Sequence, residues 1–162
     1  MIRMGQFPIG AGITELRGII EIIKGNGGAI SLSKLAEESE EEIDTLLPLL
    51  DAGEMLGLIE VKEGIVKLTQ DGKALRISNI SNMLSKRLKS IEPFKSVLEI
   101  LGKNELTTPE IAEQLRAKGI ILNVDEMTNV ELLRNMLVKW TLRTKLLEYN
   151  RESDSWKKRA NL

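Results

Sequence analysis

Cysteine and histidine are both missing from the 162 residues. Their absence excludes disulfides, thiolate chemistry, Cys/His zinc sites and any histidine general base. Aromatic residues reach only 3%, so the core must be built from Ile, Leu, Val and Met, and a hydrophobic content of 42% is enough to build one. Charge of one sign is lacking too. Lys and Arg number 23 against 24 Asp and Glu, a formal net charge of −1, so no global polycation attracts nucleic acid. No stretch approaches the ~18–20 apolar residues of a membrane span. The N-terminal MIRMGQFPIGAGITEL has no continuous apolar core of signal-peptide type. A cytoplasmic protein without membrane insertion is expected.

Periodicity supplies the fold. Residues 1–12, Gly-rich with Pro8, read as a flexible tail. From Thr14, a plausible N-cap, Leu16, Ile19, Ile20 and Ile23 recur at helical spacing until Gly25-Asn26-Gly27-Gly28 stops the helix. Ser31 or Ser33 caps a short second helix, SLSKLAEES. A third runs from about Glu41 to Leu56 with Ile43, Leu46, Leu47, Leu50 and Met55 inward and a local irregularity at Pro48. LIEV and IVKLT around Lys62-Glu63-Gly64 form a hairpin signal. Three helices followed by a two-stranded wing is the winged-helix order. The plan then recurs. GIIEIIKGN (18–26) aligns with SVLEILGKN (96–104), KLAEE (34–38) with EIAEQ (110–114), and LLPLLDAGEMLGLIEV (46–61) loosely with LLRNMLVKWTLRTKLLEY (132–149). The expected architecture is mostly α with small β wings: a tandem winged helix-turn-helix joined by a long linker helix. Its parts are a first winged helix over 13–72, a linker helix over 73–91 with a break near Ser78 to Ser81, a second winged helix over 92–157 and a basic tail over 158–162.

The motifs that could carry chemistry are few. Gly5 and Gly10 have the spacing of a phosphate loop, but Ala11 and Gly12 stand where Lys and Ser/Thr must grip phosphate and Mg²⁺. Between Leu35 and Val61 there are nine carboxylates and no base. The run includes Glu41, Glu42 and Asp44, at the start of the helix that would read a DNA groove. Groove readers bring Arg, Lys, Asn or Gln to base edges. Three readings stand open for the run: solvated surface favoured by the helix dipole, a docking face for a protein, or a metal site, for which successive carboxylates point in different directions. Bases gather elsewhere. Lys86, Arg87 and Lys89 lie late in the linker, and Arg134, Lys139 and Arg143 begin a stretch of eight bases against three acids. These bases contact DNA, associate with the acidic half within or between chains, or are simply solvated. Trp140 is expected in the core, and Trp156, at a frayed strand, is the candidate exposed anchor. No nucleophile has a base beside it, so no catalytic residue and no cofactor are assigned.

The matching stretches are Ile43-Asp44-x-Leu46-Leu47-Pro48-Leu49, Leu56-Gly57-Leu58-Ile59-Glu60-Val61 and Gly64-x-Val66-x-Leu68-Thr69-x-x-Gly72, with Trp140, Leu146, Leu147 and Tyr149 in the second half. With these the chain resembles, over roughly residues 13–157, the C-terminal AAA-associated domain. That is the tandem winged-helix module behind the ATP-binding subunit of nitrate/sulfonate/bicarbonate-type ABC transporters. Thr141 and Arg143 depart from the Gly and aromatic usual there. The resemblance implies a non-catalytic interaction or regulatory module whose partner is an ABC-type ATPase subunit or a second copy of itself, as a homodimer. The competing expectation is a transcriptional regulator that contacts DNA through Lys86, Arg87, Lys89, Arg134, Lys139 and Arg143, with the first winged helix kept off DNA by its carboxylates.

Overall fold

The computed structural model describes residues 6–160. Helix α1, Ile13–Gly25, buries Leu16, Ile19, Ile20 and Ile23 in the one stripe that their spacing dictates. Gly12, not Thr14, is its N-cap. Strand β1, Ala29–Ser31, follows. Ser31 then caps α2, Leu32–Ser39, by accepting the Lys34 N–H at 3.2 Å. Glu40, in the left-handed region at φ 58°, ends α2. Helix α3, Ile43–Met55, leads to the hairpin of β2, Ile59–Lys62, and β3, Ile65–Leu68. Glu63 and Gly64 at the tip have φ of 52° and 77°, which suits the twist of a two-residue hairpin. The antiparallel sheet is ordered β1-β3-β2, pairing Ile30 with Val66 and Val61 with Val66.

The turn after β3 explains the Leu-Thr-x-x-Gly motif. Thr69 Oγ1 donates to the Gly57 carbonyl at 2.7 Å and accepts the Gly72 N–H at 3.0 Å, starting α4, Gln70–Ala74. Gly72 packs so tightly that an added Cβ would lie 2.0 Å from the Leu58 carbonyl oxygen. These elements form the N-terminal unit, Gly10–Asn79.

The C-terminal unit repeats the order. It contains α5, Ile80–Leu88; α6, Phe94–Leu101; β4, Leu106–Thr107; α7, Thr108–Ala117; α8, Glu126–Thr141; β5, Leu147–Asn150; and β6, Ser155–Lys158. Its sheet is ordered β4-β6-β5, the counterpart of the first. A full capping box begins α7: Thr107 accepts the Glu110 N–H, and Glu110 accepts the Thr107 N–H at 2.8 Å. Phe7 belongs to this unit. It is buried edge-on against Phe94 (5.3 Å) and Trp140 (4.7 Å), and its N–H donates to the Glu92 carbonyl.

Several expectations need correction. The tail expected over 1–12 is not free where it is described, because Phe7, Ala11 and Gly12 are buried; residues 1–5 lie outside the described residues. The linker over 73–91, expected as a helix broken near Ser78 to Ser81, is two helices whose gap starts a few residues earlier and spans residues 75–79. It parts between α4 and α5, where Leu75 is buried and Asn79 binds the Arg76 N–H and the Ala74 carbonyl, fixing a turn. The basic tail over 158–162 begins inside β6 at Lys158, and the Arg159 N–H still donates to Leu146; residues 161–162 lie outside the described residues.

Candidate functional site

Helix α3 has two faces, and leucines occupy both. Leu46, Leu49 and Leu50 are buried with Ala52 and Gly53. Gly53 permits close packing, since a Cβ there would meet the Ile59 side chain at 2.7 Å. Ile43 and Leu47 are 42% and 44% exposed, and Met55 is half-buried, contrary to the inward face assigned to all three from periodicity. The reason is crowding: Leu46, Leu49 and Leu50 already fill the core-facing stripe, so the remaining apolar residues fall outside it. Ile43 and Leu47 are one turn apart and therefore adjacent on the surface. Asp44 lies three residues before Leu47 and Asp51 four after it, so both carboxylates border the apolar pair.

These carboxylates are uncommitted. Glu42, at the N-cap, makes no side-chain cap bond. Among the described residues, no ion pair or side-chain hydrogen bond holds Glu41, Glu42 or Asp44. Glu54 differs: it accepts the Val61 N–H at 3.0 Å and so covers one outward-facing donor of the edge strand β2. Glu38 is also engaged, with Lys34 and Asn26.

The C-terminal unit carries a similar arrangement at the start of α8. Met127 is 76% exposed and Val124 86%. Asp125 and Glu126 precede Met127, with Glu126 already the first residue of α8, whereas Glu41 and Glu42 both lie outside α3. Asp125 caps α8 by accepting the Thr128 hydroxyl and N–H, which lower its pKa below the ordinary value. The buried Asn129 accepts the Leu122 and Asn123 N–H groups and pins the loop before it. Sequence reading missed this second display, because a longer turn separates α7 from α8 and obscures the alignment.

Residues 33–150 match the family model of the C-terminal AAA-associated domain. The chain belongs to that family. No curated protein and no solved structure matches it.

In this AAA-associated domain, the candidate interface residues Glu41, Glu42 and Asp44 are all exposed around the start of α3. Trp156 is not with them. It is fully buried, donates from Nε1 to Thr108 Oγ1 at 2.8 Å and lies against the Tyr149 ring at 4.2 Å, so it is a core residue and not an exposed anchor. Trp140 is fully buried as well.

The basic candidates are spread over two helices and beyond. Lys86 is exposed and Arg87 half-buried on α5, and Lys89 is exposed just past it; Lys139 is exposed on α8, and Arg143 just past that helix. Arg134 is committed elsewhere. Its Nε and Nη2 donate to Asp154 Oδ1 and Oδ2 at 3.0 and 2.7 Å. Asp154 also accepts Thr108 Oγ1 at 2.6 Å and the Tyr149 hydroxyl at 2.7 Å. The Arg134 hydrogen bonds, with those from Thr108 and Tyr149, outweigh burial and hold the Asp154 pKa down to about 2. This cluster ties α7, α8 and the β5–β6 hairpin together. Among the described residues no group of three or more carboxylates is placed to hold a metal ion, and no helix is long and apolar enough to cross a membrane.

Proposed function

We propose that the chain is a tandem winged-helix accessory module without catalysis of its own, acting in the cytoplasm by docking proteins for an ABC-type anion-transport ATPase. Family membership supports an accessory role beside an ATPase. The repeated order of helix, strand, two helices and hairpin, with equivalent sheet orders, supports the winged-helix reading. The observation that carries the function is α3. On the winged-helix reading it is the helix that would enter a groove, yet it presents Ile43, Leu47, Asp44 and Asp51 to solvent and contains no base. Binding to a duplex releases counterions in proportion to the phosphates neutralised by Lys and Arg. A surface of carboxylates neutralises none and is repelled.

The test is a mobility-shift titration with duplex DNA at ~50 and ~200 mM salt. Little binding at either concentration is the expected result. Tight binding that collapses at the higher salt, and is lost on replacing Lys86, Lys89 and Lys139, overturns the reading in favour of a DNA-binding regulator.

A further inference from the structure

We propose that the exposed stripe of α3 is the docking ridge for a basic amphipathic helix of a partner protein. The proposal rests on the interaction-module reading above and gives its partner a chemistry. Ile43 and Leu47 form an apolar ridge on a helix whose core face is already filled by Leu46, Leu49 and Leu50, so packing within the fold does not account for their exposure. Residues one turn apart on a helix are read by a partner helix with its own apolar residues at i, i+3, i+4 and i+7.

Charge selects among such helices. Asp44 and Asp51 frame the ridge, and no base stands between Leu35 and Val61. A partner flanked by Lys and Arg gains in encounter rate and specificity, whereas an acidic helix, a duplex or an anionic lipid surface is repelled. Strand addition beside the ridge is disfavoured, because Glu54 already occupies the outward Val61 N–H of edge strand β2.

The experiment uses the full chain and a labelled peptide of about 15 residues, long enough to form a helix when bound. The peptide contains only Leu and Lys, with leucines at helical amphipathic spacing. An isomer of identical composition has the leucines scattered. Fluorescence anisotropy is expected to show saturable binding of the amphipathic peptide and about tenfold weaker binding of the isomer. The double variant Ile43→Ser/Leu47→Ser, whose changes lie on the surface, should keep its circular dichroism spectrum and bind the amphipathic peptide about tenfold more weakly. Asp44→Lys should weaken binding too. Equal binding of both peptides, or an unchanged affinity in the double variant, overturns the ridge. So does a wild-type dimer in sedimentation that Ile43→Ser/Leu47→Ser dissolves, because a second copy then covers the face. If neither peptide nor DNA binds, the ridge falls while the interaction-module reading stands; DNA binding strikes that reading itself.

Discussion

Replacing Asp154 asks whether one carboxylate holds the C-terminal hairpin. It receives two hydrogen bonds from Arg134 and one each from Thr108 and Tyr149, and its pKa falls from 3.8 to about 2. At ~1.4 kcal/mol per unit, the shift sets a ceiling of about 2.5 kcal/mol. The carboxylate is 27% exposed, so solvent screening reduces this to about 1–2 kcal/mol. Asp154→Asn keeps an acceptor oxygen and tolerates the left-handed backbone at φ 52°, and should cost only that amount. Asp154→Ala also strands the Thr108 and Tyr149 hydroxyls, at about 1 kcal/mol each, and adds about 1 kcal/mol for the backbone, giving about 4–5 kcal/mol in all. Urea unfolding followed by tryptophan fluorescence at neutral pH reads this directly, since both tryptophans lie in the C-terminal unit. The pH dependence has a fixed sign. A depressed folded pKa gives stability that is complete above the ordinary carboxylate value and is lost as pH falls from about 4 to about 2. The gap between wild type and Asp154→Asn should therefore close across that window. An Asp154→Ala midpoint equal to wild type at neutral pH, or a gap undiminished at about pH 2, refutes the reasoning.

Two further substitutions probe the packing. Gly72→Ala drives a Cβ to 2.0 Å from the Leu58 carbonyl oxygen and should destabilise the N-terminal unit by about 2–3 kcal/mol. That unit has no aromatic residue, so circular dichroism melting is the readout, and an unshifted melt disproves the close approach. Phe7→Ala opens a cavity beside Phe94 and Trp140 and should cost about 3 kcal/mol with a red shift of tryptophan emission. Unchanged emission and midpoint would show that Phe7 contributes nothing to the core.

What was legible in the chain was local. The Leu16–Ile23 stripe, the Ser31 cap and the Glu63-Gly64 hairpin each depend on neighbours within a few residues, and each is found. Features made by distant partners were not legible. β1 and β4 are three and two residues long and exist only through pairing with β3 and β6. Trp156 is buried because Thr108 receives its indole N–H across most of the C-terminal unit, and nothing beside Trp156 in sequence announces this. The acidic run was visible at once. The ridge within it was not, because Leu46-Leu47-Pro48-Leu49-Leu50 puts leucines on opposite sides of α3 and periodicity alone cannot rank them. Arg134 looked like a free cation because its acceptor, Asp154, sits in a turn twenty residues away in the chain.

The aromatic contact made by Phe7 also orders events during synthesis. Phe7 leaves the ribosome before the N-terminal unit, whereas Phe94 and Trp140 follow only after the whole of that unit has emerged. Domains generally fold as units during translation. The N-terminal unit is therefore free to fold first, with Phe7 waiting beside it as an unburied phenyl group, and the C-terminal core closes only when translation of α8 is complete.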